Sequence, residues 1–204
     1  KGSIQTHARF KDIALQMQER KGTWFILGRT QELVRELEGL ARMYGVFFQN
    51  TKGKHSFDLN KWNAIQYWKK LKEGGKVKKE EAGIIYTYIN EIAYGWRSIE
   101  SKRWKNLDDD KTFSLDFLRT FGGLLADPVK WQQLFNRNFA ESDKQYFEQI
   151  IEKNIDLSLA SNIIIDTIHS IKGGEAQHVC VYEKANWPAH FENKVGLARS
   201  SESR

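Results

Sequence analysis

The chain has one cysteine, Cys180, in 204 residues. A lone thiol inside the apolar run Val179–Tyr182 can build neither an internal disulfide nor a Cys-based metal site. It reads as a small buried residue, so a reducing, intracellular (cytoplasmic) setting is the expectation. No stretch approaches the roughly 18 apolar residues of a membrane span. No basic-then-apolar leader opens the sequence, so neither a membrane nor secretion is expected. Internal repeats and low-complexity tracts are absent. There is no nucleophile–base pair with a defined partner and no metal-ligand spacing. No G-x-x-x-x-G-K-[ST] phosphate loop occurs: Gly74-Gly75-Lys76 lacks the first glycine and is followed by Val77. No apolar strand ends in a paired acidic motif able to hold Mg²⁺. No self-contained site for nucleotide hydrolysis is therefore expected.

Positive charge is what the chain does have, and it is uneven. The net charge is +6. Between Thr51 and Asn106, thirteen lysines and arginines face six acids, a local +7 that leaves the remainder near neutral. This permits a polyanionic partner. The same segment holds Trp62, Trp68, Trp96 and Trp104. Lysine on phosphates and tryptophan on bases is one way to hold a single strand. The other reading is amphipathic helices with tryptophan in the core and solvated lysines. Trp62 and Trp68 fit the core reading better. Arg97, Lys102, Arg103 and Lys105, around Trp96 and Trp104, fit either.

Periodicity gives an α/β organisation. Phe10, Ile13, Ala14 and Met17 space a helix over 7–20, stopped by Lys21-Gly22. Thr23-Trp24-Phe25-Ile26-Leu27 is an apolar strand closed by Gly28-Arg29-Thr30. Thr30 caps a helix to Tyr44, Gly45 ends it, and Val46-Phe47-Phe48 is the next strand. This is a strand–helix–strand unit of a parallel sheet. Residues 58–154 read as almost wholly helical, with Asn60 as the first cap, Gly74-Gly75 as a stop, and Lys76-Val77-Lys78-Lys79 as a basic turn. Further helices are expected over Glu80–Ile99, Phe113–Phe121, Val129–Phe139 (started by Asp127-Pro128) and from Ser142. Strand signals return at Ile163-Ile164-Ile165-Asp166-Thr167 and Val179-Cys180-Val181-Tyr182. The expected division is 1–57 and 158–204 as one sheet domain, with 58–157 as a helical insertion.

Two places carry candidate chemistry. Arg29 lies where a strand ends and a helix begins, the edge where open α/β sheets bind ligands. An arginine beside a helix N-terminus suits a phosphate, although an arginine solvated or paired to a local carboxylate reads the same in sequence. Thr167 to Glu175 offers hydroxyls, an imidazole, an ammonium, two glycines and a carboxylate within nine residues. Gly173 and Gly174 let backbone approach a ligand, and a carboxylate at such an edge can accept hydrogen bonds from a sugar hydroxyl. The set suits binding better than bond-breaking.

Thr167-Ile168-His169-Ser170-Ile171-Lys172-Gly173-Gly174-Glu175 resembles motif V of the UvrD/Rep/PcrA group of superfamily 1 helicases, T-[IL]-H-x-x-K-G-x-E before a hydrophobic strand. Phe25-Ile26-Leu27-Gly28-Arg29-Thr30, a helix, and Gly45-Val46-Phe47-Phe48 resemble motif IV of the same group. The resemblance covers about 23–57 and 160–190; the helical middle matches by position only. It implies a RecA-like 2A domain interrupted by a 2B-like insertion. It further implies that Arg29 contacts the γ-phosphate of ATP and Glu175, beside Gly174, binds the ribose. Thr167 and His169 would lie along single-stranded DNA or couple it to the nucleotide cleft, with Lys172 and Gly173 shaping the turn. Departures are Gly28 in place of an adenine-stacking aromatic, Gly174 in place of a leucine, and Ala176 in place of an aromatic. Motif VI is not found; Glu202-Ser203-Arg204 stands where the residues upstream of it would be.

The resemblance implies a piece of an ATP-dependent DNA helicase or translocase, inactive alone. Its partners would be single-stranded or partly duplex DNA and an N-terminal half carrying the phosphate loop, with ATP and Mg²⁺ bound only in the complete protein. The alternative is a non-enzymatic nucleic-acid-binding or adaptor module with a helicase-like fold. A stand-alone helical protein with a chance motif is the third reading.

Overall fold

The computed structural model describes residues 4–7, 9–89, 108, 110–122, 124, 130–157, 159–183 and 194–198. The chain divides into two compact units, Lys1–Ser56 with Gln145–Arg204, and Phe57–Lys144.

The first unit is built on a five-stranded sheet ordered β1-β7-β6-β2-β5. Its strands are β1 (Ile4–His7), β2 (Trp24–Gly28), β5 (Ile163–Thr167), β6 (His178–Glu183) and β7 (Lys194–Ala198). The centre is three parallel strands, β6, β2 and β5, with Gly28 aligned to both Thr167 and Tyr182. β7 runs antiparallel to β6 and β1 antiparallel to β7. The α/β class and the buried parallel strands expected from Trp24–Leu27 and Ile163–Ile165 are therefore present. β2 is buried at all five positions, as its lack of polar alternation requires.

Alternation along the strands sorts the core. Trp24, Ile26, Ile163, Ile165, Cys180 and Tyr182 face α1 (Phe10–Glu19) and α2 (Gln31–Met43), meeting Ile13, Met17, Val34 and Leu37. Phe25 and Leu27 point the other way, with Ala176 and the half-buried Ile164, Ile171 and Val179. That second face is covered by the 168–177 connection, which must carry the chain from the carboxyl end of β5 to the amino end of β6. α2 starts as the sequence predicts: the Thr30 hydroxyl accepts from the Leu33 N–H at 3.3 Å. Gly45, with φ +60°, ends it.

Val46–Phe48 does not form the expected strand. Its carbonyls are taken by side chains and a turn: Val46 O accepts from the Tyr146 hydroxyl, Phe47 O from Ser161, and Phe48 O from the Ser56 N–H. Ladder bonding begins only at Gln49, which accepts from Ile165 N–H and donates to Ile163 O. It pairs with β5, so β5 lies between this segment and β2. The preceding strand β1 was not legible, and the helix expected from His7 begins at Phe10.

The second unit contains α3 (Leu59–Lys72), a short β3 (Val77–Lys78), α4 (Lys79–Thr87), β4 (Thr112–Phe113), α5 (Leu115–Thr120) and α6 (Trp131–Leu134). Trp68 is buried in its core with Ile65, Leu71 and Ile85, while Lys69, Lys70 and Lys72 are exposed. Trp62 is half-buried, edge-on to Phe57. Four expectations need correction. Asp58, not Asn60, caps α3, accepting from the Asn60 N–H at 2.8 Å. The basic turn 76–79 contains β3, which pairs antiparallel with β4 and so draws Phe113 out of the helix expected from it. Ser114 then caps α5. The helix expected to reach Phe139 ends at Leu134, because Phe135 is extended and the N–H groups of Asn136 and Arg137 both donate to Tyr88 O. Residues 90–99 and the Asp127-Pro128 start lie outside the described residues.

α7 (Glu141–Glu152) crosses the division between the units. Residues 145–157, assigned to the insertion from sequence, belong to the first unit. There Tyr146 binds Val46 and Ser56, Gln149 donates to Met43 O, and Lys153 donates to Tyr44 O and Gly45 O at the C-terminus of α2.

Candidate functional site at the carboxyl edge of the parallel strands

β2 and β5 end side by side. Gly28 pairs with Thr167, and the Ile168 N–H donates to Gly28 O at 3.1 Å. Arg29 and the Thr167–Lys172 stretch, 138 residues apart at their first members (167 − 29), thus share one edge. Arg29 is exposed, next to the first turn of α2. Gly28 has a packing reason to lack a side chain. A Cβ there would lie 3.0 Å from both Val34 Cγ2 and the Val34 backbone nitrogen. No ring fits at that position while α2 stays in place.

Thr167 is buried, and its hydroxyl is 2.7 Å from Ser170 Oγ while accepting from the Ser170 N–H at 3.2 Å. It therefore anchors the turn that follows β5. Two more turn bonds follow, Lys172 N–H to His169 O and Gly174 N–H to Ile171 O. Gly173 takes φ +84°, a conformation that favours glycine. These turns leave His169, Ser170, Lys172 and Glu175 exposed.

The connection then runs back across the sheet. A Cβ on Gly174 would lie 3.2 Å from the Phe25 ring, and the N–H of Thr23 donates to the Gln177 side chain at 2.5 Å. Gly174 and Glu175 thus sit over the amino half of β2. Arg29 lies four positions beyond Phe25 along the chain, roughly 13 Å at strand rise. Arg29 and Thr167 are brought together; Glu175 lies apart from both, along the face that Phe25 and Leu27 share. Arg97, Lys102, Arg103 and Lys105 lie outside the described residues.

Asp166 is a site residue that the sequence reading missed. Its carboxylate, 8 % exposed, accepts from the Thr51 N–H (3.1 Å), the Thr51 hydroxyl (2.6 Å) and the Thr167 N–H (2.7 Å). Burial opposes its ionisation, but the hydrogen bonds from Thr51, Thr167 and Ser170 outweigh burial and hold the carboxyl below its ordinary value. The available signal was a single carboxylate ending a β-branched run. Through Thr51 it fixes the 50–54 loop beside β5, so three neighbouring elements end at one edge. Glu38 of α2, half-buried, is pushed up by burial while Lys54, Arg35 and Arg42 pull it down.

Such an edge offers the exposed cations Arg29 and Lys172 to an anion, and Glu175, set back from it, can accept from hydroxyls. No cluster of metal-ligating side chains occurs among the described residues. Cys180 is fully buried, and burial pushes its thiol up, so it is inert. A separate cavity of about 460 Å³ opens at the amino ends of the strands, lined by Met17, Phe47, Lys153, Ser161 and Ile163 among others, away from Arg29. Among the described residues no helix is long and apolar enough to cross a membrane. No family model, curated protein or solved structure matches the chain.

Proposed function

We propose that the chain is a RecA-like 2A region, with a 2B-like insertion, of a superfamily 1 DNA helicase or translocase of the UvrD/Rep/PcrA kind. It contributes contacts to ATP and to single-stranded DNA. The observation that carries this reading is the meeting of Arg29 and the Thr167–Lys172 turn at one carboxyl edge, joined through Gly28 O and the Ile168 N–H. Two stretches that resemble motifs of one family thus end on neighbouring parallel strands.

The fit to ATP is partial. The exposed Arg29 guanidinium, beside a helix N-terminus, suits a terminal phosphate. The exposed Glu175 carboxylate, set back along the same face, suits a ribose hydroxyl. The buried Gly28 gives no surface for adenine, and Mg²⁺ has no ligand cluster among the described residues. The reading leaves base and metal to the half that carries a phosphate loop. ATP supplies the phosphoryl group whose transfer to water drives translocation. Arg29 stabilises charge on that group, Glu175 orients the sugar, and Thr167 holds the turn that presents His169 and Lys172 to DNA.

The test joins the chain to a half carrying the phosphate loop and follows oligonucleotide-stimulated ATP turnover. Glu175→Ala should weaken nucleotide affinity while single-strand binding persists. Unchanged nucleotide affinity in that variant, in a protein that turns over ATP, argues for a non-enzymatic adaptor with a similar fold.

A further inference from the structure

The 50–54 loop is built more firmly than a chain reversal requires. Asn50 Oδ1 accepts from both Lys52 N–H and Lys54 N–H at 2.9 Å. Asn50 N–H donates to Lys54 O, Gly53 N–H donates to Asn50 O, and Gln49 bridges to His55 across the base. Gly53 takes φ +75°. The buried Asp166 then clamps Thr51 through both its N–H and its hydroxyl. Burying a carboxylate is costly unless it is hydrogen-bonded. Here that carboxylate orders a loop whose tip, Thr51 to Lys54, is wholly exposed and carries two lysines.

Across the edge the order is Arg29 after β2, the Thr167–Lys172 turn after β5, then Lys52 and Lys54. Neighbouring strands lie about 4.8 Å apart, so the three connections that carry these cations follow one another along the edge. Glu32 in the first turn of α2 and Glu38 near Lys54 are the opposing acids on this side, with Asp166 already consumed by Thr51 and Thr167.

We infer that the 50–54 loop is a phosphate-contacting arm of this edge. Lys52 and Lys54 bind the backbone of a nucleic-acid strand passing Lys172, and Asp166 with Thr51 positions the arm. This rests on the reading of the edge as a nucleic-acid surface. Pre-ordered lysines lose less conformational freedom on contact than lysines on a loose loop. Each phosphate contact also adds to the salt dependence of binding.

The experiment titrates the full chain with fluorescent oligothymidylate over a range of salt. Lys52→Gln with Lys54→Gln should weaken binding and reduce the slope of log K against log salt by about 1.4, two contacts at about 0.7 each for a single strand. Lys11→Gln with Lys21→Gln, equal charge removed from α1 and from the chain before β2, should leave the slope unchanged. Thr51→Val keeps both lysines but loses one clamp bond; it should weaken binding severalfold with the slope retained, and Thr51→Ser should restore it. If the wild type shows salt-dependent binding that the Lys52/Lys54 variant does not alter, the arm is refuted and the edge reading survives. An equal loss in the control pair shows a general charge effect and also refutes the arm. A wild-type chain that does not bind oligothymidylate overturns both.

Discussion

Two residues at the carboxyl edge, Gly28 and Asp166, owe their identity to packing or hydrogen bonding, and each gives a prediction. Gly28 leaves room for α2, so Gly28→Ala should cost about 1–3 kcal/mol through overpacking against Val34, read as a lower urea midpoint. Asp166 is held below its ordinary value by its hydrogen bonds. A depressed carboxylate contributes stability above its unfolded value, about 3.9, and loses it as pH falls through the folded one. Asp166→Asn should therefore destabilise by about 2 kcal/mol at pH 7, and the gap from wild type should narrow at pH 3; a constant gap contradicts it. Thr167 was legible as a polar residue ending a strand. Its buried hydroxyl bonded to Ser170 was not, because sequence shows residue type and not which way a hydroxyl turns. Asp166 was invisible as a clamp for a like reason: its partner Thr51 is 115 residues away.

At the scale of elements, what could be read was what local chemistry decides. Thr30 before Gln31-Glu32, Gly45 after Tyr44, and Gly74 after α3 each mark an end that the structure has. The apolar runs of β2 and β5 name buried strands whatever their neighbours. The failures are elements that tertiary hydrogen bonds create or dissolve. Val46–Phe48 has the composition of a strand, but Tyr146, Ser161 and Ser56 take its carbonyls. Val77–Lys78 is a strand only because Thr112–Phe113 lies beside it. Residues 135–137 leave the helix because Tyr88 O offers a partner. The Tyr146 hydroxyl, donating to Val46 O at 3.0 Å and 2.7 Å from Ser56 Oγ, is the clearest case to test. Tyr146→Phe removes both bonds and should lower stability by about 1–3 kcal/mol in chemical denaturation, because a buried carbonyl is left unpaired. No loss would mean these bonds do not hold Val46–Phe48 out of the ladder.

At the scale of the whole molecule, two compact units arise from one chain, and the sheet unit is assembled from residues 1–56 and 145–204. The +6 charge permits nucleic acid without specifying it. The specific case is the edge at which Arg29 and the Thr167–Lys172 turn meet. The proposal assigns two roles there, the phosphate of a nucleotide to Arg29 and presentation of the turn to DNA to Lys172. One titration distinguishes them: ATP turnover against oligonucleotide concentration, in the chain joined to a half carrying the phosphate loop. Arg29→Ala should lower the maximal rate by about 10³-fold or more at an unchanged half-saturating oligonucleotide concentration. Lys172→Gln should raise the half-saturating concentration and leave the maximal rate within a few-fold. An Arg29→Ala protein that keeps the wild-type maximal rate would contradict the account.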